Sequence, residues 1–363
     1  MNNPYYKKKW LQNVDRVHPP REEQLVDDKL RLHRAERIEP FTDVFFENFM
    51  KTVKQEDFRY YPDIHILKEK LANMYGFQKH NIFLNNGSSE NIKVFYEAFA
   101  MSNQDVIITK PSYPMHKIYA DLNNSNVVYI NYNKELQVKY KDFLEAITDN
   151  TCCVVIANPN SPIGDIIGRS EIEEIIKKTY NLNIQILIDE AYIEYSKQES
   201  CINLIKKYNN LVVSRTFSKA LGCAGLRIGY LVGGDEIMEV INKFIPTYEV
   251  SSISAKFGLY ILENYSVVDD YIKLIHKEKE LIKKICLDKK ITVLLNHINT
   301  IHFKVNNVEE IKEYLDTQPV FYRTRKLPHD ESHWLAVVLY PGFSESEIMG
   351  KIIESSFPGG LEG

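Results

Sequence analysis

No stretch of this 363-residue chain approaches the ~20 consecutive apolar residues that a bilayer-crossing helix needs, so no membrane anchor is expected. The opening MNNPYYKKKW has neither an apolar core nor a small-residue cleavage pattern, which argues against secretion. Cysteine is sparse: Cys152, Cys153, Cys201, Cys223 and Cys286 are odd in number and lack C-x-x-C spacing. Reduced core thiols are expected, with neither a disulfide framework nor a metal site. Long blocks of one charge are also missing. The net charge is -4, and a cluster as short as Lys7-Lys8-Lys9 reads as solvated surface, so nucleic acid is not an expected partner. With 44% hydrophobic and 26% charged residues the chain can bury a core, and disorder is excluded. A cytoplasmic globular enzyme is the remaining class.

Short β-branched runs alternating with amphipathic stretches organise the chain. Strand-like runs cover Val106 to Thr109, Val127 to Asn131, Cys153 to Ala157, Ile184 to Ile188, Leu211 to Ser214 and Ile228 to Val232. Between them lie helix-like segments such as Ser170 to Tyr180, where Ser170 and Glu173 have capping-box spacing. Nearly continuous apolar strands alternating with helices predict an α/β fold with a mostly parallel sheet covered on both faces. Residues 1–50 read as an N-terminal arm with small-domain elements, broken by Pro19-Pro20. Residues 51–265 read as the large domain, and 266–363 as a smaller α/β C-terminal domain.

Parallel sheets place ligands at the carboxyl ends of their strands, and the reactive residues cluster there. After the Leu211 run comes Arg215-Thr216-Phe217-Ser218-Lys219, with Arg227 eight residues beyond Lys219. Two hydroxyls and a guanidinium suit a phosphate, and Lys219 adds an amine. Asp189 ends another run, with Tyr192 three residues on. A carboxylate and a phenol so placed suit the protonated nitrogen and the ring oxygen of a pyridine cofactor. Upstream, Gly87 permits a tight turn before a helix, and the amides of Ser88 and Ser89 would point at the same phosphate. Tyr113 in KPSYPMH could stack on a flat ring. Taken singly these are helix caps and packing aromatics; their convergence on one dianionic ring favours the cofactor.

The stretches RYYPD, NNGSSEN, KPSYPMH, NPNSPIG, DEAYIEY and RTFSKALGCAGLRIGY, in this order from about residue 59 to 230, resemble the fold-type I pyridoxal-phosphate aminotransferases, and within them the histidinol-phosphate aminotransferase group. The resemblance implies pyridoxal 5'-phosphate as cofactor and Lys219 as the Schiff-base lysine. It implies Asp189 at the pyridine nitrogen, Tyr192 at the ring oxygen and Tyr113 stacked on the ring. Phosphate contacts fall to Gly87, Ser88, Ser89, Thr216, Ser218 and Arg227. Tyr61 would reach the phosphate across the interface of a homodimer with shared sites.

Two departures bear on function. In Asn158-Pro159-Asn160-Ser161-Pro162-Ile163-Gly164, Ser161 stands where relatives have the asparagine that contacts the ring oxygen. Asn160 is the preferred substitute because an amide both donates and accepts. Ala336 stands where many relatives carry a substrate-binding arginine, and Arg34, Arg37, Arg323 and Arg325 are candidate replacements, with Arg37 foremost. The expected reaction is transamination of a small amine or amino acid with a distal phosphate or other anion, completed by an amino donor. Decarboxylation of a phosphorylated amino acid is the alternative, and a cofactor-dependent regulator is a distant third.

Overall fold

The computed structural model describes residues 8–15 and 29–356, so Lys7 and Pro19-Pro20 lie outside the described residues. Its strands, in chain order, are β1 (Leu30–Arg31), β2 (Ile82–Asn86), β3 (Asp105–Lys110), β4 (Asn126–Asn131), β5 (Thr151–Ala157), β6 (Gln185–Asp189) and β7 (Leu211–Thr216). There follow β8 (Ile228–Gly233), β9 (Val293–Leu294), β10 (Thr300–Lys304), β11 (Val320–Phe321), β12 (Arg323–Leu327) and β13 (Asp330–Val338). The six runs read as strands fall on β3 to β8, within one or two residues at each end.

Seven strands form the main sheet in the order β2-β8-β7-β6-β5-β3-β4. Only β8 runs against the others. Side chains alternate across a strand, so each central strand feeds two cores. Ile107, Val154, Ile156, Ile186 and Ile188 enter one, while Val106, Ile108, Cys153, Val155 and Leu187 enter the other. Helices cover both faces, which is why every residue of β5 is buried and why these strands carry no polar-out pattern. The strand order reverses between β3 and β5. Their following loops therefore part there and leave a crevice at the strands' carboxyl ends.

The helix expected to start at Ser170 begins one residue earlier, spanning Arg169–Asn181. Gly168 caps it, donating its N–H to Glu171 Oε2 at 3.1 Å, while Glu173 pairs with Lys207. Glutamate supplies the return bond of a capping box wherever it lies three residues into the helix, and Glu171 rather than Glu173 has that spacing from the true cap.

A long helix, Ser266–Asp288, leads to the antiparallel sheet β12-β13-β10-β9. One face of this sheet buries Ile301, Phe303, Leu335 and Val337 against Ile311, Leu315 and Met349 from the C-terminal helices. The other face turns towards the main sheet, with Trp334 packed on Tyr132 and Ile163. The arm is stitched to the small domain: β1 and β11 form a separate two-stranded parallel sheet, and Asn299 Nδ2 donates to the Ala35 carbonyl at 3.3 Å. Among the described residues no helix is long and apolar enough to cross a membrane.

Candidate active site

Lys219 leaves the end of β7 with its ammonium 5.3 Å from the centre of the Tyr192 ring, donating to the Arg34 carbonyl at 3.1 Å. The arm thus closes over the lysine. Asp189, the last residue of β6, is 5% exposed, and its Oδ1 has no partner. Burial drives its pKa up to about 7, against weaker opposing contributions from the Ala191 N–H, the Lys219 charge and the Ser214 hydroxyl. A buried carboxylate oxygen without a donor is costly. A protonated ring nitrogen would supply both the missing proton and the missing charge.

Behind Asp189 runs a buried amide relay that sequence reasoning missed. Asn85 Nδ2 donates to Asn91 Oδ1 at 2.7 Å, and Asn91 Nδ2 donates to Ser214 Oγ at 3.0 Å. The Ser214 hydroxyl is thereby turned onto Asp189. The available signal was a serine inside an apolar strand and an asparagine inside a helix, neither of which packs there without a partner. Next to the relay, buried Arg215 is clasped by Glu190 at 3.3 Å and Glu194 at 2.6 Å, so this wall of the site is braced by a compensated charge triad.

The expected phosphate cup is also assembled. Gly87 has φ +81° and precedes the helix Ser88–Phe99, whose first amides have no side-chain cap. Arg227, itself in the left-handed region at φ 55°, lays its guanidinium over Gly87: a Cβ there would lie 2.5 Å from Nη2. Its Nη1 is 3.5 Å from Ser218 Oγ. Gly229 lets the next strand pass beneath, since its Cβ would meet the Gly87 carbonyl carbon at 2.4 Å. Thr216 Oγ1 accepts from the Ser218 N–H at 3.1 Å and shapes the turn. Ser89 Oγ and the Tyr113 hydroxyl are 3.0 Å apart. Free helix amides, a guanidinium and two glycine-made clearances fit a phosphate.

Two residues are placed differently from their sequence expectation. Asn160 is buried with its amide committed: its oxygen accepts from Ser112 Oγ at 2.7 Å, and its nitrogen donates to the Pro111 carbonyl at 2.9 Å and to the Tyr132 hydroxyl at 2.6 Å. Both amide protons are used in holding the loop, whereas Ser161 has no hydrogen bond among the described residues. Arg37, foremost for substrate binding, lies between Phe41 and Tyr271 at 4.5 and 4.4 Å from their ring centres, donating to the Glu39 carbonyl at 3.0 Å. It packs beneath Gly222, whose Cβ would strike it at 2.7 Å. Its Nη1 is buried without a hydrogen-bond partner, and the two ring faces supply cation–π contact in its place, so Arg37 packs as a strut. Tyr61 makes no hydrogen bond to the cup of its own chain; it is 74% exposed and stacked 3.9 Å from Tyr248.

A family model described as aminotransferase class I and II matches residues 38–348. The chain belongs to that family. It is 30% identical to the histidinol-phosphate aminotransferase of Caldanaerobacter subterraneus subsp. tengcongensis over 280 residues, covering 76% of this chain and 79% of that enzyme. With the enzyme of the same name from Christiangramia forsetii the identity is 35% over 223 residues, 61% of this chain and 63% of the relative's length. The fold matches that of histidinol-phosphate aminotransferase from Sinorhizobium meliloti, solved with pyridoxal-5'-phosphate, at a TM-score of 0.84, 18% identity and 97% coverage of both chains. It also matches L-threonine-O-3-phosphate decarboxylase from Porphyromonas gingivalis at a TM-score of 0.74 and 19% identity, covering 90% of this chain and 98% of that one. As a family member the chain is a pyridoxal-phosphate-dependent aminotransferase. The orphaned Asp189 oxygen and the Gly87–Arg227 cradle are what such a cofactor requires.

Proposed function

We propose that this enzyme transaminates a small primary amine or amino acid bearing a distal anionic group, phosphate foremost, and that an amino-acid donor completes turnover. The observation that carries the reading is the meeting of Lys219, Tyr192 and the orphaned carboxylate of Asp189 at one strand-end crevice. The name shared by the relatives supports a phosphorylated substrate. When bound, pyridoxal phosphate supplies an aldehyde for the substrate amine and an electron-withdrawing ring. Lys219 would hold the cofactor covalently and, once freed by the substrate amine, would move the proton from the substrate's Cα. Asp189 keeps a proton on the ring nitrogen, and Tyr192 donates to the ring oxygen. Gly87, Ser88, Ser89, Thr216, Ser218 and Arg227 hold the phosphate. Ser161, with its hydroxyl free, takes the ring-oxygen contact from Asn160.

The working unit is a homodimer in which Tyr61 completes the neighbouring site. Its exposed ring belongs to an apolar surface with Phe58, Tyr60 and Tyr248, all more than half exposed, and such a patch is characteristic of an interface. Five buried, unpaired cysteines suit a reducing cytoplasm.

The test is a screen of holoenzyme against phosphorylated and unphosphorylated amines and amino acids, recording pyridoxamine-phosphate formation and carbon dioxide release. Conversion to the amine form without carbon dioxide is expected. Stoichiometric carbon dioxide would replace transamination by decarboxylation, and activity confined to neutral amines would remove the anionic substrate.

A further inference from the structure

The crevice opens where β3 and β5 part, and the loops that leave these strands carry two cofactor-facing residues. After β3 comes Pro111-Ser112-Tyr113, and after β5 comes the segment holding Asn160, Ser161 and Asp165. Beyond the last paired residues of the two strands, Ile108 and Val155, no ladder joins them, so side chains must set the distance between the loops.

One string of hydrogen bonds spans this gap. Ser112 Oγ donates to Asn160 Oδ1 at 2.7 Å, Asn160 Nδ2 donates to the Tyr132 hydroxyl at 2.6 Å, and that hydroxyl donates to Asp165 Oδ1. The other amide proton of Asn160 goes to the Pro111 carbonyl at 2.9 Å. Tyr132 stands just past the end of β4, so the string joins the loops of three neighbouring strands.

The string has a direction, and Asp165 gives it. A hydroxyl or an amide can turn either way, but a carboxylate only accepts. Burial lifts the Asp165 carboxyl to about 6, opposed by the Tyr132 hydroxyl and two backbone N–H groups and by no charged partner. It is therefore ionised at neutral pH. Tyr132 must then spend its proton on Asp165 and accept from Asn160, which leaves the Asn160 oxygen facing Ser112. The small domain shields the junction: Leu327 and Trp334 pack with Tyr132, which is 3% exposed. His329 Nε2 donates to the Tyr132 carbonyl at 2.8 Å. A charge-assisted bond kept from water in this way is worth more than one on the surface.

We propose that Tyr132 and Asp165 are positioning residues for the cofactor: their hydrogen bond fixes the Asn160 amide, and the amide fixes the separation of the loops bearing Tyr113 and Ser161. Both act through Asn160 rather than on the cofactor itself. The proposal rests on the reading of Tyr113 as the ring-stacking residue and Ser161 as the ring-oxygen contact, and adds what sets their spacing. It also gives the committed amide of Asn160 a use.

The experiment follows holoenzyme by visible circular dichroism, which reports the asymmetric setting of the bound cofactor, and titrates apoprotein with pyridoxal phosphate to obtain its affinity. Tyr132→Phe and Asp165→Ala should each weaken cofactor binding about two- to tenfold and reduce the visible dichroism. Because both residues act through one string, the double variant should lose no more than the larger single loss. Affinity and dichroism at wild-type values in both variants, whatever the melting temperature does, would overturn the proposal. Losses that add in the double variant would overturn it too. The reading beneath it fails separately: Tyr113→Ala and Ser161→Ala with wild-type dichroism and affinity would take those two residues off the cofactor. Wild-type values confined to the Tyr132 and Asp165 variants would leave them there.

Discussion

The two walls of the active site are built by different rules. On the large-domain side the working residues sit in loops or at the last position of strands: Asp189 ends β6, Lys219 follows β7, and Gly87 follows β2. What is local there is the turn that carries each residue off its strand; the contacts that hold them, Lys219 to the Arg34 carbonyl and Arg227 over Gly87, come from far along the chain. On the small-domain side the residues lie inside strands. Arg323, Ala336 and His302 are separated by up to 34 positions and meet only through antiparallel register. Their polar atoms are unspent. A cofactor that never leaves can be met by a finished, braced surface.

The comparison breaks most directly at Lys219. Lys219→Ala is expected to abolish borohydride-trappable cofactor and to slow the amino-group half-reaction by about 10^2- to 10^4-fold. Peptide mapping after borohydride treatment should place the label on Lys219 alone; a label on another lysine would dissolve the large-domain assignment.

Asp189→Asn should slow the half-reaction on the order of 10^2-fold, yet stabilise the apoprotein. The folded carboxyl is raised from 3.8 to about 7, so between those values the native state holds a proton that the unfolded chain has released. Stability from this group is therefore lost as pH rises from about 4 to about 7. Asparagine does not titrate, and every tenfold difference in proton affinity between the folded and unfolded carboxyl is worth about 1.4 kcal/mol. Apo melting curves at pH 5 and pH 8 should show the variant's advantage growing to a few kcal/mol at the higher pH. An advantage that does not grow with pH would mean that the Asp189 carboxyl is not strained in the apoprotein.

Gly87→Ala tests the cup. The new Cβ meets Arg227 at 2.5 Å on a backbone at φ +81°, so displacing that guanidinium should weaken cofactor binding about ten- to a hundredfold. Spectroscopic titration measures this, and unaltered affinity would remove Arg227 from the phosphate.

The smallest effects separate Asn160 from Ser161. Asn160→Ala should cost about 1–3 kcal/mol of stability through the stranded Ser112 and Tyr132 partners. Ser161→Ala should leave the melting temperature unchanged and weaken cofactor binding about two- to tenfold. The opposite pattern would return the ring-oxygen contact to Asn160.

What was legible in the residues alone follows from the same contrast. Continuous apolar runs identified β3 to β8, because strands covered on both faces bury mostly apolar side chains and carry polar ones chiefly towards their ends. The motifs at their ends were legible because each catalytic group must leave a strand and turn within a few residues, a constraint local in the chain. Asn91 and Ser214 went unread although both lie in the neighbourhood of those motifs. Their meaning depends on a helix and a strand, 123 positions apart, meeting across the sheet.

The sequence by itself determined the layered α/β architecture, the cofactor and the strand ends that bear Asp189 and Lys219, since apolar periodicity and turn chemistry act over a handful of residues. Only tertiary structure decided that Arg37 is a strut between two aromatic rings and that the Asn160 amide is already spent. It likewise decided that Arg323 and Arg325 carry no ion pair among the described residues. An arginine's role depends on which partners satisfy its guanidinium, and for these residues the partners, or their absence, are set by cross-strand register and long-range packing that no local pattern encodes.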